Sequence, residues 1–455
     1  MHVMSQKPAV PLVHIETFGC QMNEYDSELV RSLLKREGFQ FTEDRECADV
    51  ILMNTCAIRE NAHNKVFTHL SDLRSVKKHR PLVVGVLGCM AQNLKAELPE
   101  KEPIVDVLAG PDSYRQLPQL ITNAMTLQEQ GVDQKRLAVE LSEYETYDDI
   151  VPERNDGVNA WIAIMRGCDN FCSFCVVPYT RGRERSRNPK GILEEARLCA
   201  EQGFKQVTLL GQNVNSYSYD TWDFARLLLE VADVPGLERV RFTSPHPKDF
   251  PVDLLKAVSS HPNICKHIHL PVQSGNDRVL EMMNRTYTCS EYLSLVDRIR
   301  TMNTQIALTT DIIAGFCSET DEEFSDTIRL VETVRFHSAF IFKYSERKNT
   351  IAARKYRDDV PEAVKSERVT ALVDLQRKIS FDRNREYVGS VVNVLVEGNS
   401  KRSSDQGMGK TDGNITAVWE KNGTSVRPGD MVPLSIYDSS ASTLYGIAQP
   451  QPSSP

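Results

Sequence analysis

Three cysteines in one short loop constrain this chain more than any other feature. In Met165-Arg166-Gly167-Cys168-Asp169-Asn170-Phe171-Cys172-Ser173-Phe174-Cys175 they are spaced by three residues and then two, so one loop can present three thiolates to the corners of one cluster. A structural zinc ion needs four ligands, and the next cysteine, Cys199, falls inside a helical pattern with no histidine nearby. Zinc is therefore the weaker reading, and packing alone gives no reason for such close spacing behind Gly167. Three thiolates on a 4Fe–4S cluster leave one iron without a protein ligand, and an open iron chelates a substrate or cofactor. That arrangement suits radical chemistry. Cys168, Cys172 and Cys175 are read as metal ligands and as the catalytic loop.

A chain of 455 residues exceeds what one core holds, so two to three domains are expected. With 40% apolar and 25% charged residues the composition is that of a soluble globular protein. No apolar run approaches the roughly 20 residues of a membrane span, so no membrane partner is expected. Residues 1–11 lack a basic stretch followed by an apolar one, which points to a cytoplasmic protein without a secretory leader. In that reducing setting eleven cysteines mean metal or catalysis before disulfides. The net charge of −8 requires any RNA partner to be held by local basic patches.

Overall the chain reads as α/β. In a first domain, 1–146, three apolar runs each end in a cysteine: 12–19 before Cys20, 50–55 before Cys56, and 82–88 before Cys89. Helical patterns at 24–37 and 60–77 lie between them, and 105–110 looks like a fourth strand. Alternating strand and helix implies a parallel sheet whose ligands gather beyond the carboxyl ends of the strands. Cys20, Cys56 and Cys89 are read as converging there on a second three-ligand cluster. The acidic segment up to Asp156, with 147–156 as its core, reads as a linker.

The central domain, 157–387, shows six strand-like runs at 161–165, 206–210, 239–243, 267–271, 306–313 and 339–344. Helical patterns at 189–202, 222–231, 251–259, 290–302 and 321–334 separate them. Six such units suggest a partial (β/α)6 barrel, with its chemistry on loops after the strands. The cysteine loop follows the first strand. At the other strand ends Gln212, Asn213, Ser244 and Gln273 are candidates to hold the cofactor, and Gly211 and Gly275 would let backbone approach it. His246 and His269 read as structural, hydrogen-bonded histidines. Arg181, Arg183, Arg185 and Arg187 alternate just beyond the cluster loop and are candidates for RNA phosphates, the competing reading being a solvated charged face. In the tail, 388–449, four alternating runs read as a small antiparallel β-barrel of the oligonucleotide-binding kind, and 450–455 as a disordered end.

Read together, the chain resembles the methylthiotransferase family of radical S-adenosylmethionine enzymes. Phe18-Gly19-Cys20-Gln21-Met22-Asn23, Asn54-Thr55-Cys56-Ala57-Ile58-Arg59 and Gly88-Cys89-Met90-Ala91 carry the resemblance in the first domain. The cysteine loop through Arg187 carries it in the barrel, and the tail resembles a TRAM RNA-binding domain. The resemblance implies two 4Fe–4S clusters, S-adenosylmethionine, an external electron donor, and a monomer acting on the anticodon stem-loop of tRNA. One S-adenosylmethionine would supply a methyl group to sulfur at the first-domain cluster. Another would yield the radical that takes hydrogen from C2 of N6-isopentenyladenosine at position 37. Sister enzymes act on threonylcarbamoyladenosine in tRNA or on an aspartate of a ribosomal protein; Asp169-Asn170-Phe171 with 179–185 favours the isopentenyladenosine branch. A redox-sensing iron–sulfur RNA binder would not explain two sites that each lack a fourth ligand. Two stretches depart from the family pattern, Cys317-Ser318 and Lys348-Asn349, where Pro-Gly is usual.

Overall fold

The computed structural model describes residues 10–57, 60–132, 134–154, 157–421 and 426–449; Ile58, Arg59 and the end segment 450–455 lie outside them. The first domain is a parallel sheet. Its strands are β1 (Leu12–Phe18), β2 (Gln40–Phe41), β3 (Val50–Thr55), β4 (Val83–Gly88), β5 (Val107–Ala109) and β6 (Arg136–Ala138), in the order β2-β1-β3-β4-β5-β6. Helices α1 (Gln21–Arg36), α2 (Glu60–His79) and α3 (Cys89–Leu94) follow the three long strands. β3 and β4 are buried along all six of their residues, as strands covered on both faces must be. The edge strands β2 and β6 escaped the sequence reading because each is two or three residues long and carries exposed or half-buried side chains.

In the central domain the strands Asn159–Ala163, Gln206–Leu210, Arg239–Phe242, His267–His269, Ala307–Ala314 and Ser338–Lys343 line up in chain order as two parallel three-stranded sheets. The bridge Val240↔Ile264 joins them into one incomplete barrel. The 24-residue helix Glu362–Arg385, absent from the sequence reading, covers the last strand. Its Leu372 and Ile379 are buried on the barrel core with Val369 and Leu375 beside them, but much of its packing is polar. Arg368 donates to Glu319 at 2.8 Å, Gln376 to the Phe336 carbonyl at 2.8 Å, and Ser380 to the His337 carbonyl at 2.8 Å.

The tail is a closed five-stranded barrel: Val391–Ser400, Ser403–Thr411, Thr416–Glu420, Met431–Ser439 and Thr443–Ala448. Two points correct the expectation. The strand Ser403–Thr411 was not anticipated, because its polar, glycine-bearing sequence hides a packing demand: a Cβ at Gly407 would sit 2.4 Å from the Trp419 ring. The barrel is also not wholly antiparallel, since Thr416–Glu420 runs parallel to Thr443–Ala448. Arg239 and Arg241 dock it at the amino ends of the central strands, donating to the carbonyls of Asn393, Lys410, Thr411 and Asp412 at 2.6–2.9 Å.

The acidic linker is likewise a correction. Tyr147 and Ile150 are buried in the first domain's core. Asp148 pairs with Arg187 at 2.7 Å and Glu145 with Arg115 at 2.6 Å. Its carboxylates are counterions to a buried arginine of the barrel and an exposed one of the first domain, so the segment is a strap.

Both departures from the family pattern fall on left-handed backbone. Ser318 has φ 57° and Asn349 φ 73°, conformations that glycine adopts freely. Asn349 is among the residues that tolerate this region, and it also reaches Asn93 of the first domain. Ser318 is held mainly through its backbone, its N–H donating to Asp359 at 2.7 Å and its carbonyl accepting from Arg278 at 2.8 Å, bonds that glycine would keep; an exposed 3.2 Å bond from Arg278 to its hydroxyl would be lost. Ser318→Gly should therefore raise the unfolding free energy by about 1 kcal/mol, read as a shift of the urea midpoint; an unchanged or lowered midpoint would refute the strain.

Candidate metal and cofactor site

Cys56 and Cys89 sit one residue past a strand and Cys20 two, and two asparagines hold the three ends in register. Asn54, at the end of β3, accepts from Asn23 at 3.1 Å and donates to the Asn23 carbonyl at 2.9 Å and to Ser27 at 3.0 Å. Asn23 in turn caps Cys20, accepting from its N–H at 3.3 Å and from its thiol at 3.4 Å. These amides leave no room for side chains beside them. A Cβ at Gly19 would meet Asn23 Oδ1 at 2.3 Å, and one at Gly88, where φ is +85°, would meet Asn54 Oδ1 at 2.4 Å. The glycines before Cys20 and Cys89 are thus the space those amides need. Cys56 and Cys89 are buried and Cys20 is half-buried. Burial pushes the Cys89 thiol up to about 11, and the neighbouring Cys56 and Cys20 push the same way against the lowering effect of Arg181.

The second set lies on the loop after Asn159–Ala163. Gly167 has φ +80° and lies so close to the Arg183 carbonyl that a Cβ would stand 1.9 Å from it. The turn is fixed by an N–H bond from Cys168 to the Gly182 carbonyl at 3.1 Å. From the other side Ser173 donates to the Met282 carbonyl at 2.7 Å and Asn284 to the Phe171 carbonyl at 3.0 Å. All three thiols face N–H donors: Asn170 at Cys168, Val177 at Cys175, and Arg285 at Cys172 Sγ at 3.4 Å. Burial raises the Cys168 thiol to about 12 and the Cys175 thiol further.

The two sets share one seam. Val176, next to Cys175, packs with Cys89 and Ala57. Met22 and Tyr25 of α1 pack with Ala163 and Leu210 of the barrel, with Cys20 against them. Asp26, fully buried on α1, accepts from Arg166 and from Arg181, each at 2.8 Å. Arg185 reaches Asp112 at 2.9 Å, and Arg187 reaches Asp148 at 2.7 Å and Glu195 at 2.8 Å. Arg181, Arg185 and Arg187 therefore overturn the expectation of an RNA-facing run, because all three are buried and bound to carboxylates. Only Arg183 is open to solvent, with its side chain 69% exposed, over Phe171 and paired with Asp169 at 2.8 Å.

Gln212 accepts from the Gly167 N–H at 2.6 Å, so it braces the cysteine loop. Asn213 is buried beside Glu184, with its Oδ1 lacking a partner among the described residues. Ser244 and Gln273 hold left-handed backbone, at φ 60° and 72°, and Phe171 does so at 47°. Such backbone costs roughly 1–3 kcal/mol per residue and persists only where the surrounding structure imposes it. Gly211 and Gly275 have a different reason from the one expected: a Cβ would strike Met165 at 2.6 Å and the Thr327 backbone at 2.5 Å, so both serve packing. His246 is structural as expected, its Nδ1 accepting from Lys248 N–H and its pKa held at about 3 by burial and by Arg285 and Lys248.

Three family models match, in order: uncharacterized protein family UPF0004 over 12–110, the Radical SAM superfamily over 162–331, and the TRAM domain over 385–448. A tRNA-2-methylthio-N(6)-dimethylallyladenosine synthase of Chloroherpeton thalassium is 46% identical, the match covering 98% of this chain and 97% of the relative. Its namesake in Porphyromonas gingivalis is 47% identical over 97% and 96%. This chain belongs to the tRNA-2-methylthio-N(6)-dimethylallyladenosine synthase family. Among solved structures, the radical S-adenosylmethionine methyltransferase TsrM from Kitasatospora setae aligns with a TM-score of 0.54 at 14% identity, covering 76% of this chain and 77% of that one. The cobalamin-dependent radical enzyme OxsB aligns at 0.52 and 11% identity, over 81% and 56%. At these identities the likeness is one of fold.

Membership of this family brings S-adenosylmethionine and a 4Fe–4S cluster, and the barrel loop fits the latter. Its donors are three thiols, each facing an N–H group that would favour the thiolate. Because burial keeps Cys168 and Cys175 protonated, loading must release protons. The sequence reading missed Asp26, Asn284 and Arg285, which brace this loop from elements 113–155 residues away and belong to no spaced motif. Replacing Asp26 with Asn leaves two buried guanidiniums without their carboxylate and should cost about 3–5 kcal/mol. Arg183→Ala, on the surface, should cost under about 0.5 kcal/mol. Denaturant unfolding checks both, and an Asp26→Asn loss below about 1 kcal/mol would show that the seam does not depend on this carboxylate.

Proposed function

We propose that this chain methylthiolates C2 of N6-isopentenyladenosine at position 37 of tRNA, giving the 2-methylthio derivative, with the isopentenyl group being the dimethylallyl group in its relatives' names. The observation that carries the reading is the shared seam. One triad lies on a barrel loop, the other at the strand ends of the first domain, and Val176 and Cys89 touch between them. Cys168, Cys172 and Cys175 would hold the radical-generating cluster, and Cys20, Cys56 and Cys89 a second one that carries the sulfur. When bound, these groups and S-adenosylmethionine supply methyl transfer and hydrogen abstraction.

The residues of the chain do the holding. Gln212, Glu184 and Arg285 fix the barrel loop, while Asn213, Ser244 and Gln273 stand at the strand ends where S-adenosylmethionine would sit. The full-length likeness to relatives named for dimethylallyladenosine favours that substrate over threonylcarbamoyladenosine or a protein aspartate. We place the reaction in the cytoplasm, with an external electron donor and a monomeric enzyme. No helix among the described residues is long and apolar enough to cross a membrane. Arg183 is the one solvent-exposed arginine of its run and would meet a tRNA phosphate, so Arg183→Ala should reduce the salt slope of tRNA binding by about 1; an unchanged slope would leave it a solvated charge.

Mass spectrometry of tRNA nucleosides after incubation with reconstituted protein, S-adenosylmethionine, sulfide and reductant tests the activity. Cys172→Ala should abolish 5′-deoxyadenosine formation. Cys56→Ala should lower the iron content to one cluster, keep 5′-deoxyadenosine formation, and yield no methylthioadenosine. Methylthiolated tRNA at wild-type yield from Cys56→Ala would remove the first-domain triad from the reaction.

A further inference from the structure

The last barrel strand, Ser338–Lys343, is unusual in leaving two large aromatic side chains open, Phe340 at 56% and Phe342 at 48% exposure. Its alternate residues, Ala339 and Ile341, pack into the core beneath the helices, so the period of two turns Phe340 and Phe342 to the lumen. Register gives them neighbours on that face: Phe340 lies beside Asp311, Phe342 beside Ile313, and His269 beside Thr309. His269 Nε2 is 3.3 Å from Asp311 Oδ2, and its ring meets Phe340 edge-on at 5.9 Å. Ile313 packs against the same cluster as Phe174, which stands between Cys172 and Cys175. The aromatic face therefore climbs toward the cysteine loop. At its other end the lumen meets the tail barrel, docked there by Arg239 and Arg241, so an occupant enters from the loop side.

We propose that this face seats the prenylated purine of the substrate, an inference that rests on the function proposed above. An N6-substituted adenine offers a flat ring, one N6–H donor and an apolar branched tail. Phe342, nearer the cysteines, stacks on the ring and leaves its C2 edge toward the loop. Phe340 lies one alternate position deeper, roughly 7 Å along the strand, where it and His269 cover the tail. Asp311 accepts the N6–H through Oδ1, the oxygen that His269 leaves open.

The test uses the reconstituted full-length enzyme with S-adenosylmethionine and two labelled anticodon stem-loops, one carrying N6-dimethylallyladenosine at position 37 and one carrying adenosine. Wild type should bind the prenylated stem-loop at least tenfold more tightly. Phe340→Ala should erase that preference while its Kd for the plain stem-loop stays within twofold, and Phe340→Leu should keep part of it. Phe342→Ala should weaken both stem-loops alike. In all three variants the affinity for S-adenosylmethionine should stay within twofold. The inference is overturned if wild type shows no preference, if Phe340→Ala retains it, or if affinity for S-adenosylmethionine falls with that for RNA, which would give the aromatic face to the cofactor's adenosine. A wild-type enzyme that prefers the prenylated stem-loop yet forms no methylthio product would sink the proposed reaction and leave the binding face standing.

Discussion

The carboxylate of Asp26, fully buried on a helix of the first domain, is the interaction on which the assembly of this molecule turns. It takes one bond from Arg166 and one from Arg181, which flank the barrel's cysteine loop on both sides. Buried charges are tolerated only when paired and hydrogen-bonded. Neither domain can therefore present its half of this triad to the other half's absence without a large penalty. The same requirement repeats at Arg185 with Asp112 and at Arg187 with Asp148, so the loop's alternate arginines act as bolts through the seam. That is why the two sets of thiols lie along one seam although 78 residues of chain lie between Cys89 and Cys168.

Backbone geometry does the finer positioning. In the first domain the amides of Asn23 and Asn54 fix the strand ends, and glycine at 19 and 88 is the room they occupy. In the barrel, Gly167 lets the cysteine loop pass against the Arg183 carbonyl. Around it Phe171, Ser244 and Gln273 hold left-handed conformations that only a well-determined surrounding structure can impose.

Much of this architecture was legible in advance, because its signals are local. A strand followed by a cysteine, repeated three times, and the three-then-two spacing at Cys168 are visible in a few residues each. So are the strand–helix alternation from Asn159 to Lys343 and the turn glycines. What escaped were features that depend on partners distant in sequence. Arg181, Arg185 and Arg187 look like a phosphate-binding run until their carboxylates, 8 to 155 residues away, are known. The strap around Tyr147 looks like a linker for the same reason. The helix Glu362–Arg385 hides because Arg368, Gln376 and Ser380 interrupt the apolar residues Leu372 and Ile379 on its packed face, and Ser403–Thr411 hides because Gly407 is chosen by a tryptophan on the next strand.

The hold on the tail barrel has a consequence of its own. Arg239 and Arg241 grip main-chain oxygens of Asn393, Lys410, Thr411 and Asp412, atoms that every amino acid supplies. The grip is thus blind to most of the tail's side chains. An outward-facing surface on that module can be rewritten residue by residue, toward a different RNA shape or none, while the module stays seated on the same spot.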